Sequence, residues 1–357
     1  MLPIDVPVTP MLAKSVEAIP AGMVYEPKWD GWRCLLYRDG GRVQLFSRRG
    51  TELTAFFPEL VGAALTTLPE QCVLDGEIVI IENGRLTYTK LAERHSTVER
   101  AHTLAARLPA TFLAFDLLAV GSESLLSRPQ TERRLRLEDA LADAGWPLLL
   151  TPSTDDIAVA KGWFDQFEAS GLDGVVAKPP TGRYQPGQRT MFKVKHRRTA
   201  DAAVAGYRMD RNSGPGRESL GSLQLGLFDV AGLLHFVGVC PGFPGAMRHE
   251  LALMFASLEV ESGSEAERSH PWYLANAERT GARLPDGTGR WGRKPEDQVH
   301  LIDPVLVVEV TYDHLYDLRF RSNAAFVRWR PDRDPESCRF DQLSESADAD
   351  LGGLLGL

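Results

Sequence analysis

The segment VYEPKWDGWRCLLYRDGGRVQLFSR (residues 24–48) decides the fold. Its apolar residues cluster in short runs broken by Asp30-Gly31 and by Gly40-Gly41. That pattern predicts strand, turn and strand, with the glycine pair closing a hairpin. Between the first two runs stands Lys28. An ammonium group at a half-buried strand end is costly unless a partner or a ligand uses its charge. The alternative is a lysine whose stem lies along the sheet rim with its head in water.

Outward from this hairpin the same alternation recurs. FFPELVGAALTTL has helical spacing with Pro58 near its start, where proline is tolerated. CVLDGEIVII and GRLTYTK predict two strands about the turn Asn83-Gly84, and ATFLAFDLLAV predicts a strand covered on both faces. QTERRLRLEDALADAG and DIAVAKGWFDQFEASG predict amphipathic helices closed by Gly145 and Gly171. The short strands GVVAKP and TMFKVKH follow. Single helices between strand groups indicate an α+β domain with antiparallel sheets over residues 1–200. Beyond Asp201, five or so strands with one helix, AMRHELALMFASLEV, predict an OB-fold β-barrel over 201–340. An extended loop is expected over 263–295. An acidic C-terminal tail, 341–357, is expected to end disordered or as a short docking segment.

The chain has 357 residues, 43% hydrophobic and 25% charged, enough for two ordinary domains with full cores. No apolar run is long enough for a membrane helix, and the first residues carry no basic leader. A cytoplasmic protein with no membrane partner is expected. The four cysteines are scattered without a C-x-x-C pair, against a zinc site or a disulfide framework. Net charge is −8, yet residues 183–217 hold nine Lys/Arg against two acids, a local +7. A basic stripe with interleaved aromatic and glycine residues on an acidic body fits a phosphate track.

Chemistry gathers on a few segments. Lys193 and Lys195 are two apart in FKVKH and so share a strand face. Two lysines on one face repel unless an anion lies between them, and a nucleotide phosphate supplies one. Asp75-Gly76-Glu77 puts carboxylates on a strand, and Asp173-Gly174 precedes VVAK.

Taken in order, these segments resemble the motifs of the ATP-dependent polynucleotide ligases, within the covalent nucleotidyltransferase superfamily that includes RNA ligases and capping enzymes. K-x-D-G-x-R is Lys28, Asp30, Gly31 and Arg33. SRRG runs from Ser47 to Gly50, LDGE from Leu74 to Glu77, and AFDLL contains Phe115. DGVVAK runs from Asp173 to Lys178, FKVK holds Lys193 and Lys195, and RWRPDRD holds Arg330, Asp332 and Arg333. Asp173 stands where many relatives carry glutamate, and Arg333 where lysine is frequent. The chain looks most like the short ligase C group of actinobacteria. With 27 residues ahead of Lys28, a minimal enzyme without a large N-terminal DNA-binding domain is expected.

The resemblance implies a DNA ligase that uses ATP and Mg2+ or Mn2+ and seals 5′-phosphate to 3′-hydroxyl nicks in double-stranded DNA, in repair. It implies a covalent lysyl-AMP on Lys28, with Lys193 and Lys195 as catalytic partners. Lys28 must attack as the free amine, scarce at neutral pH for a side chain of ordinary pKa about 10.4. Metal ligands would be Asp30, Glu77 and Asp173, hard oxygen donors suited to such ions. Glu26 would read adenine, Phe115 would stack on it, and Arg33, Arg48 and Glu77 would hold sugar and phosphate. Arg330 and Arg333 would meet the pyrophosphate. A monomer with repair proteins as further partners is expected. The alternatives are an RNA ligase, an end-joining repair ligase, or a binding module that has lost catalysis. Lys28, Glu77, Lys193 and Lys195 together argue against the last.

Overall fold

A computed structural model describes residues 1–343 and 351–356 of the chain, apart from 96, 169, 215, 286–298 and 317. Contacts divide it into two compact units, Met1–His196 with Ser346–Leu357, and Arg197–Glu345.

In the first unit the strands are β1 (Leu12–Ser15), β2 (Val24–Pro27), β3 (Trp32–Asp39), β4 (Arg42–Ser47), β5 (Gln71–Val79), β6 (Ile81–Glu82), β7 (Arg85–Leu86), β8 (Thr111–Val120), β9 (Glu123–Ser124), β10 (Leu148–Leu150), β11 (Gly174–Lys178) and β12 (Arg189–Lys195). The helices are α1 (Pro58–Thr67), α2 (Tyr88–Arg94), α3 (Val98–Ala105), α4 (Gln130–Ala140) and α5 (Ile157–Gln166). One sheet runs β1-β12-β11-β2, and a second runs β10-β8-β5-β3-β4 with β9 beside β8. Pairing is antiparallel except for β1 with β12 and β10 with β8.

The period-two pattern of β3 explains the layering. Cys34 and Leu36 pack into a core shared with Leu60 and Ala64 of α1, while Leu35 and Tyr37 join Met11, Val73, Tyr184 and Met191 in a second core. Arg33, on the face of Leu35, is thereby aimed between the sheets. Gly76 has a packing reason. A Cβ there would lie 2.4 Å from the Phe112 ring and 2.7 Å from the Leu113 carbonyl oxygen.

Three expectations need correcting. GRLTYTK is strand only at Arg85–Leu86, and from Tyr88 it is helix α2. The cause is tertiary. Arg94 at the end of α2 is fully buried and holds Glu59 and the carbonyls of Phe56 and Leu108. Helices α4 and α5 stop at Ala140 and Gln166, short of Gly145 and Gly171. In the predicted loop 263–295, α7 (Glu265–Ser269) and α8 (Leu274–Thr280) form, the former capped by the Ser264 hydroxyl. Residues 286–295 of that loop lie outside the described residues.

The second unit has β13 (Arg198–Met209), β14 (Leu220–Phe228), β15 (Leu234–Pro241), helix α6 (Gly245–Leu258), β16 (His300–Tyr312), the short pair β17 (Leu315–Tyr316) and β18 (Arg319–Phe320), and β19 (Ala325–Trp329). The sheet order β15-β14-β13-β16-β19 is that of an OB barrel, and β19 approaches β15. Leu251, Ala252 and Phe255 of α6 pack on Leu223, Leu225 and Val308.

Of the predicted acidic tail, 344–350 and 357 lie outside the described residues. Helix α9 (Leu351–Leu355) docks on the first unit, where Leu351 is buried with Tyr25 and Trp29 and its N–H donates to the Gly84 carbonyl at 3.1 Å. No helix among the described residues is long and apolar enough to cross a membrane.

Gly76→Ala forces its methyl into backbone and ring, and we expect a stability loss of about 1–3 kcal/mol. Urea denaturation should show a lower midpoint at unchanged slope. An unchanged midpoint would mean that β5 and β8 are not packed this closely.

Candidate active site

A cavity of about 210 Å³ lies within the first unit, between its two sheets. Glu26, Lys28, Arg33, Arg48, Glu77, Phe115, Lys178, Arg189 and Lys193 line it together with apolar residues from β1, β11 and β12. Strand register puts these side chains there. Lys193 pairs with Val176, and Val176 with Glu26, so one cross-strand row crosses the first sheet. On the second sheet Arg33 is directly opposite Glu77. Lys193 and Lys195 share a face as their spacing requires, whereas Phe192, just before them, packs into the opposite core and Val194, between them, is buried.

Lys28 follows the end of β2. Its backbone N–H donates to the Gly174 carbonyl at 2.9 Å, and its carbonyl accepts from the Asp173 N–H at 2.9 Å. Its Nζ donates to the Asp173 carboxylate, which Lys195 also meets at 3.0 Å. Asp173 thus places a protein anion between Lys28 and Lys195, not between Lys193 and Lys195, the pair for which an anion was expected. Motif glycines permit the close approach. A Cβ at Gly174, where φ is +133°, would lie 2.0 Å from the Val194 carbonyl oxygen, and one at Gly31 would lie 2.2 Å from that of Ile78.

Around this pair the charges are set by burial and partners. Burial pushes the Glu77 carboxyl up to about 8, against the pull of Lys28 and Arg33. Burial, then Lys195 and Lys28, push the Lys193 ammonium down. Burial opposes the charge of Arg33, yet Asp75 outweighs it and raises the guanidinium pKa. The two make a bidentate pair at 2.9 and 2.5 Å, with Tyr184 donating to the same carboxylate at 2.6 Å. Arg33 also stands over the Phe115 ring at 5.3 Å.

A divalent cation fits the donor set. Glu77 is a half-buried carboxylate with no hydrogen bond among the described residues. A carboxylate oxygen of Asp30 lies within 4.8 Å of one of Asp173. Hard oxygen donors of this kind suit magnesium or manganese.

The structure thus gathers Glu26, Lys28, Arg33, Arg48, Glu77, Phe115 and Lys193 at one cavity, with Asp30, Asp173 and Lys195 beside Lys28. Arg330 and Arg333 belong to the second unit. There Arg330 holds Asp201 and Asp332, and Arg333 meets Asp201 at 3.2 Å. The basic stripe divides between the units, and its Arg208 is buried at 6% exposure. A buried guanidinium is no site for a solvated phosphate track. Asp75 and Lys178 are named from the sequence only as members of their motifs, whereas in the structure Asp75 aims Arg33 and Lys178 holds Glu26. The two-residue spacing of Asp75 from Glu77 was the available signal for the first.

Residues 10–195 match the ATP dependent DNA ligase domain family. The chain is 49% identical over 346 residues to DNA ligase C2 of Mycolicibacterium smegmatis, covering 96% of each. It is 45% identical over 361 residues to DNA ligase C of Mycobacterium tuberculosis, covering 99% of this chain and 98% of that one. Among solved structures, a Lig E DNA ligase superposes with a TM-score of 0.55 at 16% identity, over 90% of this chain and 98% of that one, a likeness of fold. With the family match over half its length and these two relatives matched nearly end to end, the chain belongs to the ATP-dependent DNA ligases.

Proposed function

We propose that Lys28 takes AMP from ATP as a covalent lysyl adenylate, and that the enzyme uses it to join 5′-phosphate to 3′-hydroxyl at nicks in double-stranded DNA. The carrying observation is the clamp of Lys28 on Asp173 at a cavity lined by Glu77, Arg48 and Lys193. The role is repair, carried out in the cytoplasm by a monomer that repair proteins bring to the break.

Lys28 reacts as the neutral amine, its ammonium proton first lost to solvent, while the Asp173 carboxylate to which it donates holds it in place. The bond from Nζ to the α-phosphorus forms as the bond from that phosphorus to the bridging oxygen breaks. Pyrophosphate leaves with the electron pair, and the nitrogen sheds its second proton to solvent. Lys193 and Lys195 neutralise charge on the phosphate oxygens. Asp30, Glu77 and Asp173 would hold a divalent cation, which supplies further charge neutralisation there. Phe115 stacks on the base, while Arg33 and Arg48 hold sugar and phosphate. AMP then passes to the 5′-phosphate of the nick, and attack by the 3′-hydroxyl expels it.

Lys28→Ala should abolish both transfer of label from α-labelled ATP to protein and sealing of an unadenylated nick. Label retained by this variant would sink the assignment. The two motif arginines should separate. Arg330 is committed to Asp201 and Asp332, so Arg330→Ala should lower the melting temperature and slow every step. Arg333→Ala should slow adenylation by ATP while sparing sealing of a pre-adenylated nick. Equal losses for Arg333→Ala would assign it to stability or DNA binding.

The exposed Arg211 and Arg217 flank the turn between β13 and β14. If they meet DNA phosphates, replacing both by Ala should flatten the dependence of log affinity on log salt by up to about two units. Adenylation of Lys28 should be unaffected. An unchanged slope in nicked-duplex binding would place the DNA contacts elsewhere.

A further inference from the structure

Lys178 ends the fourth motif and has no part in the chemistry above. It is buried at 2% exposure in the cavity wall. Its Nζ lies 2.7 Å from Glu26 Oε2, donates to the Phe115 carbonyl at 2.8 Å and stands 5.0 Å from the centre of the Phe115 ring. One ammonium therefore fixes both the carboxylate and the aromatic ring assigned to the base. Register makes this possible. Val176 is opposite Glu26 on β2, and Lys178 shares the face of Val176 two residues on.

The second oxygen of Glu26, Oε1, is buried and has no hydrogen-bond partner among the described residues. Such an atom costs free energy unless a ligand donates to it. An ionised carboxylate only accepts, whereas a protonated one also donates. The ionisation state of Glu26 therefore decides which purine edge it tolerates. As the anion it accepts from an exocyclic amine and repels a carbonyl oxygen. As the neutral acid it can donate to that carbonyl.

We infer that Lys178 is a positioning residue for base choice: its ion pair keeps Glu26 an acceptor-only group, so that the cavity takes a purine bearing an exocyclic amine at that edge and rejects one bearing a carbonyl. The inference rests on the reading of the cavity as the ATP site. Four charged groups act on Glu26 from the elements packed on it. Lys178 comes from β11, Arg134 at 4.0 Å and the more distant Arg133 from α4, and Asp116 from β8. Burial pushes the Glu26 carboxyl up, Lys178 pulls hardest against it, Arg134 less, and Asp116 adds to the rise. Arg134 is already engaged with Glu138 at 2.7 Å and the Thr151 carbonyl at 2.9 Å. Without Lys178, the strongest pull against that rise is gone and the carboxyl moves further toward the neutral acid.

The sign of the pH dependence follows. A carboxyl whose pKa is raised further by loss of Lys178 holds its proton to higher pH than it does beside the ammonium, and loses it as pH rises. In Lys178→Met the preference for ATP over GTP, read as the ratio of kcat/KM for covalent nucleotidylation, should fall at least about tenfold at neutral pH. It should recover toward alkaline pH. Lys178→Arg should retain the wild-type ratio, and Glu26→Gln should show the reduced ratio with no recovery. Equilibrium binding of AMP against GMP to the same variants gives a second readout independent of turnover. A residue with a purely structural role would lower the melting temperature or slow both nucleotides alike, without a pH-dependent ratio.

A wild-type ratio at every pH in Lys178→Met, or in Glu26→Gln should the first variant not fold, overturns the inference. If the wild-type protein takes no nucleotide from ATP, the reading of the site itself falls. Wild-type adenylation with an unmoved ratio in the variants removes only the role of Lys178.

Discussion

The clamp between residue 28 and residues 173–174 is the contact on which the first unit turns. Two backbone hydrogen bonds at 2.9 Å join the end of β2 to the start of β11, and an ion pair between Lys28 and Asp173 lies directly on them. The backbone bonds fix where the lysine emerges, so the side chain needs little further ordering to reach its partner. That matters because a lysine loses much rotamer freedom when it is held. The glycine at 174 is the condition for this arrangement, since its φ of +133° and its distance to the Val194 carbonyl exclude any Cβ. A motif written as a lysine and a distant Asp-Gly is thus one physical object, closed across 145 residues of chain.

Elsewhere among the described residues the unit buries several charges in hydrogen-bonded pairs. Arg133 meets Asp116 at 2.7 and 3.0 Å and also holds the carbonyls of Arg128 and Gly182. Arg94 meets Glu59, Arg33 meets Asp75, and Lys178 meets Glu26. Desolvation makes such pairs weak contributors to net stability, and breaking one strands a charge. Their value here lies in direction. Two of these pairs, Arg33 with Asp75 and Lys178 with Glu26, pin side chains that line the cavity.

Much of this was legible in order along the chain. The Gly40-Gly41 hairpin, the shared face of Lys193 and Lys195 and the strand-rich second unit follow from periodicity and turn chemistry, which are local. Misreadings arose where a distant partner overrode the local pattern. Tyr88–Arg94 has strand-like Thr and Tyr at its start, yet Arg94 finds Glu59 and two carbonyls, and the segment coils into a helix to deliver it. Arg208 looked like part of a basic face, and burial in the barrel removes it from that role. Lys178 was readable as a motif residue. Its partner Glu26 lies 152 residues away, so no spacing rule could join them.

Charge balance is the last constraint to act, and it operates locally against the sign of the whole. The chain carries a net −8, but the cavity lining holds six cationic side chains against two acidic ones. The two acids do not simply offset two of the cations. Glu26 is neutralised in its own pair with Lys178, while Glu77 is held near neutrality by burial. What is left facing the cavity is an excess of ammonium and guanidinium groups whose mutual repulsion a multiply charged anion relieves, and that repulsion, from Lys195 and Lys28, adds to the burial that pushes Lys193 down. A polyphosphate satisfies it more completely than any side chain in the unit. Asp173, held by Lys28 and Lys195 at once, answers two of the ammonium groups beside the cavity and leaves the rest to such an anion.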